Sequence, residues 1–527
     1  MDANVYLCGP PGAGKSSVAP RLAALREAEC VDVDATIEKR EGCSIAQLID
    51  QRGEAAFRAL EREAIASLTE RHGLVVALGG GALQDPVNRD ALRRSGAVVF
   101  LDASLATCER RTASANGARP LLREPGALAR LHGARRPTYE TVADLRVRVD
   151  ELDEDAAAAM VDARLRDEQR IIRVATAKPY DVAIGEGALI ALPRRVAPAA
   201  GGRVVIVADT VVAATARRIA GLYEHAGFTT NLLPVTADEA LKSLDAIGAL
   251  YERFLGAGLD RRGIVVGVGG GTIGDAVGFA AATFQRGIPF VGIPTTLLSA
   301  VDAAIGGKTG INLAAGKNLV GTVTQPAHVA IAPSTLRSLP ARDVVSGYGE
   351  MLKYGLALDA TLYGTLREGE RLLLADPATP RGAIARCVEL KAEIVARDEE
   401  DRLGARAVLN FGHTIGHALE RVAGYGTLRH GEAVIVGMRA ALALSVVRGL
   451  LQAGEARQPD EHLASLPVPD DWRKVSADEV LAAAAGDKKR GARGTRYVLL
   501  EAIGRARLDD GVGERDVRSA LAQLGLR

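Results

Sequence analysis

The stretch "GPPGAGKS", Gly9 to Ser16, decides how the first third of this chain folds. It satisfies G-x-x-x-x-G-K-[ST], and its surroundings give that pattern meaning. The run "NVYLCG" before it reads as a strand, and "SSVAPRLAALREAE" after it reads as a helix. A glycine loop between strand and helix turns backbone N–H groups and a helix N-terminus toward phosphate. Lys15 adds positive charge, and Ser16 offers a hydroxyl to magnesium. Pro20 falls early in that helix, where an interior proline costs about 3 kcal/mol. It therefore marks a kink or sits within the first turns.

Working outward, residues 4 to 150 alternate short apolar strands such as "LVVALGGG" with helices such as "GEAAFRALEREAIASLTE". That alternation implies a parallel sheet flanked by helices. The acidic, alanine-rich "DELDEDAAAAMVDARLRDEQR" reads as a closing helix and linker, and a new pattern starts near residue 170. Strands such as "RVVIVAD", "GIVVGVGGG" and "FVGIP" define a second α/β unit. Beyond residue 330 helical periodicity dominates, as in "AVIVGMRAALALSVVRGLL". The expected division is residues 1–165, 172–330 and 331–527: α/β, α/β, then all-helical, with no internal repeat.

The 527 residues suit roughly three domains at about 150 each. A net charge of +1 gives no reason to expect nucleic acid or an acidic membrane as partner. The five scattered cysteines contain no C-x-x-C pair and argue for a reducing compartment. "MDANVYLCGPPGAGK" has too short an apolar run, and no basic flank, for a secretory signal. The most membrane-like segment, "IVVGVGGGTIGDAVGFAAATF", is glycine-rich and carries Asp275, which disfavours a spanning helix. A cytoplasmic location is expected.

The phosphate loop alone indicates only a nucleotide. Asp32 and Asp34 share a strand face if the strand continues, or else form a turn or a helix cap. Arg58, taken alone, reads as a solvated helix charge. The ordered series "DVDATIEKREGCSIAQLIDQRGEAAFRALE", "LGGGAL", "RPLL" and "RRPTYETVAD" makes residues 3 to 150 resemble shikimate kinase. The resemblance implies ATP at Gly12, Ala13, Gly14, Lys15, Ser16 and Ser17, with Arg111 near the adenine. It implies magnesium held by Ser16 and, through water, Asp32. Shikimate would meet Asp34, Arg58, Gly80 and Arg135, the two guanidinium forks gripping its carboxylate. Gly79 to Gly81 would let the backbone approach the ligand. Lys15 and Arg119, the latter on a lid, would stabilise charge on the transferring phosphoryl group. Another small-molecule P-loop kinase is the alternative.

In the second unit "GVGGGTIGD" contains G-x-G-x-x-G as Gly269, Gly271 and Gly274, which suits a pyrophosphate. Asp209, at the end of "VVIVAD", precedes this loop instead of following it by about twenty residues, so the order is not the standard Rossmann one. The segment "TFQRGIPFVGIPTTLLSAVDAAIGGKTGINLAAGKNLVGTVTQP" sets Arg286, Lys308 and Lys317 on glycine turns, ready for a phosphate and a carboxylate. Its apolar flanks predict a buried functional loop.

In the third unit "LNFGHTIGHALE", residues 409 to 420, puts His413 and His417 one helical turn apart. Spacing alone nominates these two as paired metal ligands, although the glutamate of H-E-x-x-H is missing. His430 follows closely, and Glu350 lies upstream in "SGYGEMLKYGL". A His, His, Glu set with an open position is a sound catalytic zinc shell.

Residues 172 to 510 resemble 3-dehydroquinate synthase through "GGGTIGDAVGFAAATFQRG", "PTTLLSAVDAAIGGKTGIN", "GKNLVG", "GYGEMLKYG", "LNFGHTIGHALE" and "HGEAVIVGM". The resemblance implies Zn2+ (or Co2+) on Glu350, His413 and His430, with His417 serving substrate and proton traffic instead. It implies NAD+ bound by Asp209, Glu239, Lys242, Gly271, Thr272, Ile273, Gly274, Asp275, Thr295, Thr296, Lys308, Lys317, Thr335 and Ser338. The heptulosonate substrate would meet Arg286, Lys308, Asn318, Lys391, Arg406, Asn410, His417 and Lys488 or Lys489. Lys308, Lys391, Asn410 and His417 are the implied catalytic groups.

The implied chemistry is transient oxidation at C5, phosphate elimination, return of the hydride and aldol closure, with NAD not consumed. A homodimer through this part is implied as well. The alternatives are another sugar-phosphate cyclase or a polyol dehydrogenase.

Overall fold

The computed structural model describes residues 3–113, 124, 126–167, 170–424, 426–486 and 496–526. Arg119, Lys488 and Lys489 lie outside the described residues.

The first sheet contains β1 (Asn4–Cys8), β2 (Glu29–Asp32), β3 (Leu74–Ala77), β4 (Gly96–Asp102) and β5 (Leu145–Arg148). Its order is β2-β3-β1-β4-β5, and every pairing is parallel. Side chains alternate across such a sheet. Val5, Leu7, Val99 and Leu101 pack under the Lys15–Arg26 and Glu154–Asp167 helices. Tyr6, Cys8, Val98 and Phe100 pack under the Ile45–Thr69 and Ala127–Val142 helices. Both faces are covered, so the central strands read as continuous apolar runs. Pro20 lies inside the Lys15–Arg26 helix, in its second turn.

The second sheet has seven strands. They are β6 (Arg170–Val174), β7 (Tyr180–Ile184), β8 (Arg203–Asp209), β9 (Thr229–Val235), β10 (Ile264–Gly269), β11 (Phe290–Pro294) and, after the hairpin below, β14 (His328–Ile331). The order is β6-β7-β14-β11-β10-β8-β9, parallel except for the β6–β7 pair at one edge. Strand order reverses between β8 and β10, and the crevice outside that point is where open α/β sheets bind ligands.

The "GGKTGINLAAGKNLVG" region is not the buried loop expected from its apolar flanks. It forms an antiparallel hairpin, β12 (Lys308–Leu313) and β13 (Gly316–Val323), with β13 largely exposed. Its alternating polar and β-branched residues suit one solvated face.

From residue 341 the described chain is mostly helical, beginning with the Ala341–Leu358 helix. One correction applies to the all-helical expectation. Strands β15 (Tyr497–Ala502) and β16 (Arg505–Asp509) make a hairpin turned at Gly504. Val498 and Leu500 join one core while Tyr497 and Leu499 join another. Burial on both sides removes the alternation that would have announced a strand.

The glycine-rich stretch around Asp275 divides into β10 and the Gly271–Thr283 helix. Among the described residues, the helix long and apolar enough to cross a membrane is His430–Val447, and most of it is buried within the protein.

Two candidate active sites

The phosphate loop joins β1 to the Lys15–Arg26 helix, with Gly14 as its N-cap. Lys15 Nζ donates to Gly9 O at 2.8 Å and Pro10 O at 3.2 Å, which holds the lysine over the loop. Gly12 to Ser17 and Arg111 line one cavity of ≈ 320 Å³. Arg111 Nη2 donates to Val149 O and Leu152 O on the far wall, at 2.9 and 3.1 Å.

Asp32 and Asp34 do not share a strand face. β2 ends at Asp32, whose carboxylate caps the Val33–Glu41 helix by accepting from Ala35 N at 3.1 Å. Asp34 falls in the first helical turn. Burial first, then the neighbouring Asp32, raises its pKa above the ordinary carboxylate value.

The triglycine Gly79–Gly81 gathers the remaining groups. A Cβ on Gly79 would stand 2.8 Å from Asp34 Oδ1, and one on Gly80 3.5 Å from Arg135 Nη1. One on Gly81 would stand 2.5 Å from Arg58 Nη2. A side chain at Gly79 or Gly81 would have to displace these groups, while the contact at Gly80 is an ordinary van der Waals one. Tyr139 OH donates to Gly80 O at 2.5 Å, tying the loop to the helix that carries Arg135. Arg58 is no solvated charge. It pairs with Glu61 at 2.8 Å and Glu54 at 2.9 Å, and Glu61 is 1% exposed. Glu61 was missed in the sequence, where its spacing in "FRALERE" looks like ordinary helix charge.

In the second unit Asp209, Gly269 and Thr295 all stand at carboxyl ends of parallel strands. Thr295 N donates to Gly269 O at 3.0 Å, and Gly271 opens the following helix with Thr272, Ile273, Gly274 and Asp275 in its first turns. Thr296 packs against Gly270 and accepts from Ser299 N at 3.2 Å. Buried Lys242 reaches Asp275 at 2.7 Å and also donates to Asn318. Glu239 accepts from Asn312 at 2.7 Å and pairs with Lys317 at 3.5 Å. Five predicted residues thus form one polar cluster beside the glycine loop. Thr335 follows β14 and donates to Ala332 O at 2.7 Å, while Ser338 is exposed beyond it. Neither belongs to the bonded cluster among the described residues.

The histidines converge from separate helices. His413 and His417 lie on the His413–Val422 helix, His430 opens the His430–Val447 helix, and Glu350 comes from Ala341–Leu358. Ligand atoms of the three histidines lie within 4.8 Å of one another. Oε1 of the fully buried Glu350 is 3.5 Å from His413 Nε2 and 3.4 Å from His430 Nε2. That oxygen has no hydrogen-bond donor aligned on it. A buried carboxylate oxygen shared by two imidazole nitrogens suits a divalent metal.

The far ring nitrogens are held as metal ligation needs. His413 Nδ1 faces Phe411 O at 3.2 Å, and His430 Nδ1 faces Glu420 Oε2 at 3.2 Å. Burial lowers His413 to about 3 and keeps it neutral. Burial also opposes charge on His430, but the neighbouring carboxylates Glu350 and Glu420 prevail and raise it to about 10. Spacing alone paired His413 with His417; the fold adds His430 and Glu350, and His417 stays exposed at the mouth.

Two further residues were missed. Lys353 Nζ lies 2.5 Å from Glu350 Oε2 and 4.0 Å from Asp302 Oδ1. Asp302 accepts from Lys391 at 2.6 Å and from Tyr354 OH at 2.7 Å. Burial disfavours its charge, yet Lys391 and Lys353 hold its pKa well below the ordinary value. Asp302 neighbours Ala303, whose Cβ lies 3.5 Å from the Cβ position of Gly271. Asp302 thus links the start of the Gly271–Thr283 helix, through Ala303, to Lys353 and so to Glu350.

Arg406 is buried and donates to Gly306 O at 3.0 Å. Lys308 pairs with Asp401, and Asn410 is exposed at the end of the Ala405–Asn410 turn. Arg286 is exposed with φ 67, outside this bonded network among the described residues.

Known proteins share this architecture. ValA (2-epi-5-epi-valiolone synthase) from Streptomyces hygroscopicus subsp. jinggangensis 5008, solved with NAD+ and Zn2+ bound, is 30% identical with a TM-score of 0.57. The match covers 62% of this chain and 91% of that one, so the larger part of this chain shares the fold class of that synthase.

Within that class, residues 232–346 and 347–490 match the 3-dehydroquinate synthase N-terminal and C-terminal family models. The synthase of Synechococcus sp. (strain CC9605) is 40% identical over 366 residues, 67% of this chain and 97% of the relative. That of Rhodopirellula baltica is 41% identical over 322 residues, 60% of this chain and 86% of the relative. Residues 11–166 match the shikimate kinase family model. The chain belongs to the 3-dehydroquinate synthase family, with a shikimate kinase domain fused ahead of it.

Proposed function

We propose that residues 1–165 phosphorylate shikimate from ATP, and that residues 172–330 and 331–527 together convert 3-deoxy-D-arabino-heptulosonate 7-phosphate to 3-dehydroquinate and phosphate. The observation that carries the synthase reading is Glu350 Oε1 standing within 3.5 Å of nitrogens on both His413 and His430.

In the kinase site, Lys15 and the N–H groups of Gly12 to Ser17 hold the ATP phosphates, Ser16 and Asp32 serve magnesium, and Arg111 borders the base. Arg58 and Arg135 grip the shikimate carboxylate across the triglycine. Asp34, its proton affinity raised by burial, accepts the hydrogen bond of the hydroxyl to be phosphorylated. Arg119 completes the charge stabilisation.

In the synthase site, Glu350, His413 and His430 hold Zn2+ or Co2+. The Gly271–Asp275 turn, Asp209, Glu239, Lys242, Lys317, Thr295, Thr296, Thr335 and Ser338 hold NAD+. These groups, when bound, supply a Lewis acid for an alcohol and a transient hydride acceptor. His417, at the open mouth, relays protons. Lys308, Lys391, Asn318, Arg406, Asn410, Arg286 and Lys488 orient the phosphate, carboxylate and hydroxyls of the heptulosonate. Orientation is the chain's principal contribution. The protein works in the cytoplasm as a homodimer through the synthase part.

The test is a pair of assays on one preparation. Lys15→Ala should abolish only ATP-dependent shikimate phosphorylation, and Glu350→Ala only phosphate release from the heptulosonate, with no net NADH accumulating in the wild type. Loss of both activities from either substitution would contradict two independent sites. Net NADH would favour a dehydrogenase.

A further inference from the structure

The two enzymes meet along a built surface. The Pro86–Ser95 helix of the kinase part packs on the Ala213–His225 helix of the synthase part. At their closest approach Gly221 faces Arg94, where a Cβ would stand 2.4 Å from Arg94 Cβ and 2.9 Å from its Cα. Arg94 pairs across the junction with Glu224 at 2.6 Å, and the rings of His72 and His225 lie 3.9 Å apart.

Deeper in the junction Arg218 Nη1 pairs with Asp144 Oδ1 at 2.7 Å, the two side chains being 4% and 2% exposed. An ion pair this buried belongs to an interior, not to a transient encounter. Asp144 has a second task. Its Oδ2 accepts from Val98 N at 2.8 Å, and its own N–H donates to Val98 O at 2.8 Å. It thereby fastens the end of the Ala127–Val142 helix to β4. That helix carries Arg135 and Tyr139, the groups that face the triglycine.

We infer that the Ala213–His225 face of the synthase part is a fixed docking platform for the kinase part, and that through Arg218 and Asp144 it positions the helix bearing Arg135. The docking claim stands on the contacts alone, while its consequence for shikimate rests on the kinase reading given above. Arg218 and Gly221 act through other groups and are positioning residues. Cavities of ≈ 650 and ≈ 480 Å³ flank the junction. The surface is therefore closed at points rather than sealed throughout, and a single clash at Gly221 has leverage over it.

The experiment uses the full chain with a protease site introduced at residues 168–169. Cut wild-type protein should elute as one species carrying both activities. Cut Gly221→Leu should divide into two species, because leucine favours the helix itself yet collides with Arg94. Arg218→Glu, which places like charge against Asp144, should divide too. In the uncut Gly221→Leu protein the KM for shikimate should rise several-fold at little change in kcat, with the KM for heptulosonate unchanged. Separation of the cut wild type would overturn the docking. A Gly221→Leu protein that separates when cut yet keeps its shikimate KM when uncut would overturn the positioning role.

Discussion

Lys353 Nζ stands 2.5 Å from Oε2 of Glu350, and neither side chain is more than 2% exposed. A buried cation beside a carboxylate that also faces two histidines sets the local charge balance. Removing one member of such a pair leaves an uncompensated buried charge and costs about 3–5 kcal/mol. Lys353→Met should therefore lower the stability of the synthase part by that order, read by urea unfolding, and abolish phosphate release while phosphorylation of shikimate continues. Wild-type stability in Lys353→Met would show that the pair contributes nothing.

Glu420 accepts from the far nitrogen of His430, as partners of metal-bound histidines do. Glu420→Ala should weaken zinc binding by roughly 10–100-fold in a chelator competition. Glu420→Gln, which keeps an acceptor oxygen, should lose much less. Equal loss in both variants would point to charge instead of orientation.

Tyr139 donates its hydroxyl to Gly80 O at 2.5 Å. Tyr139→Phe removes one buried hydrogen bond, worth about 1 kcal/mol, and should raise the shikimate KM about fivefold. Gly80 also borders Pro11 of the phosphate loop, its Cβ position 3.6 Å from that ring, so any change in the ATP KM should be the smaller of the two. A change in the ATP KM alone would be evidence against that assignment.

His328, on β14, is 3% exposed, and burial together with nearby Arg195 lowers its pKa to about 4. The unfolded chain binds this proton first, at the ordinary value of about 6.5. The stability of the neutral ring is complete above that value and is lost as pH falls toward about 4. At about pH 5 the loss should reach roughly 2 kcal/mol. His328→Gln should flatten this part of the pH profile in denaturant titrations. An unchanged profile would assign the acid sensitivity to other groups.

Much of the fold was legible because local chemistry dictated it. The phosphate loop needs its glycines and its lysine in strand–loop–helix order, and β1 with the Lys15–Arg26 helix supplies that order. β10 and the Gly271–Thr283 helix follow from the same kind of pattern. Less was legible where a strand is buried on both sides, as in β15, or where two residues mark a boundary, as at Asp32 and Asp34. A strand end and a helix cap accept the same residue types.

What the sequence determined by itself was the set of chemistries: a phosphate cradle, a second glycine loop, and histidines at helical spacing. Tertiary structure alone decided their partners. Glu350 and His430 reach His413 from different helices, and Arg218 meets Asp144 from the other enzyme. Spacing along a chain reports only neighbours within a turn or across a strand. Contacts between residues tens of positions apart come from how the cores pack.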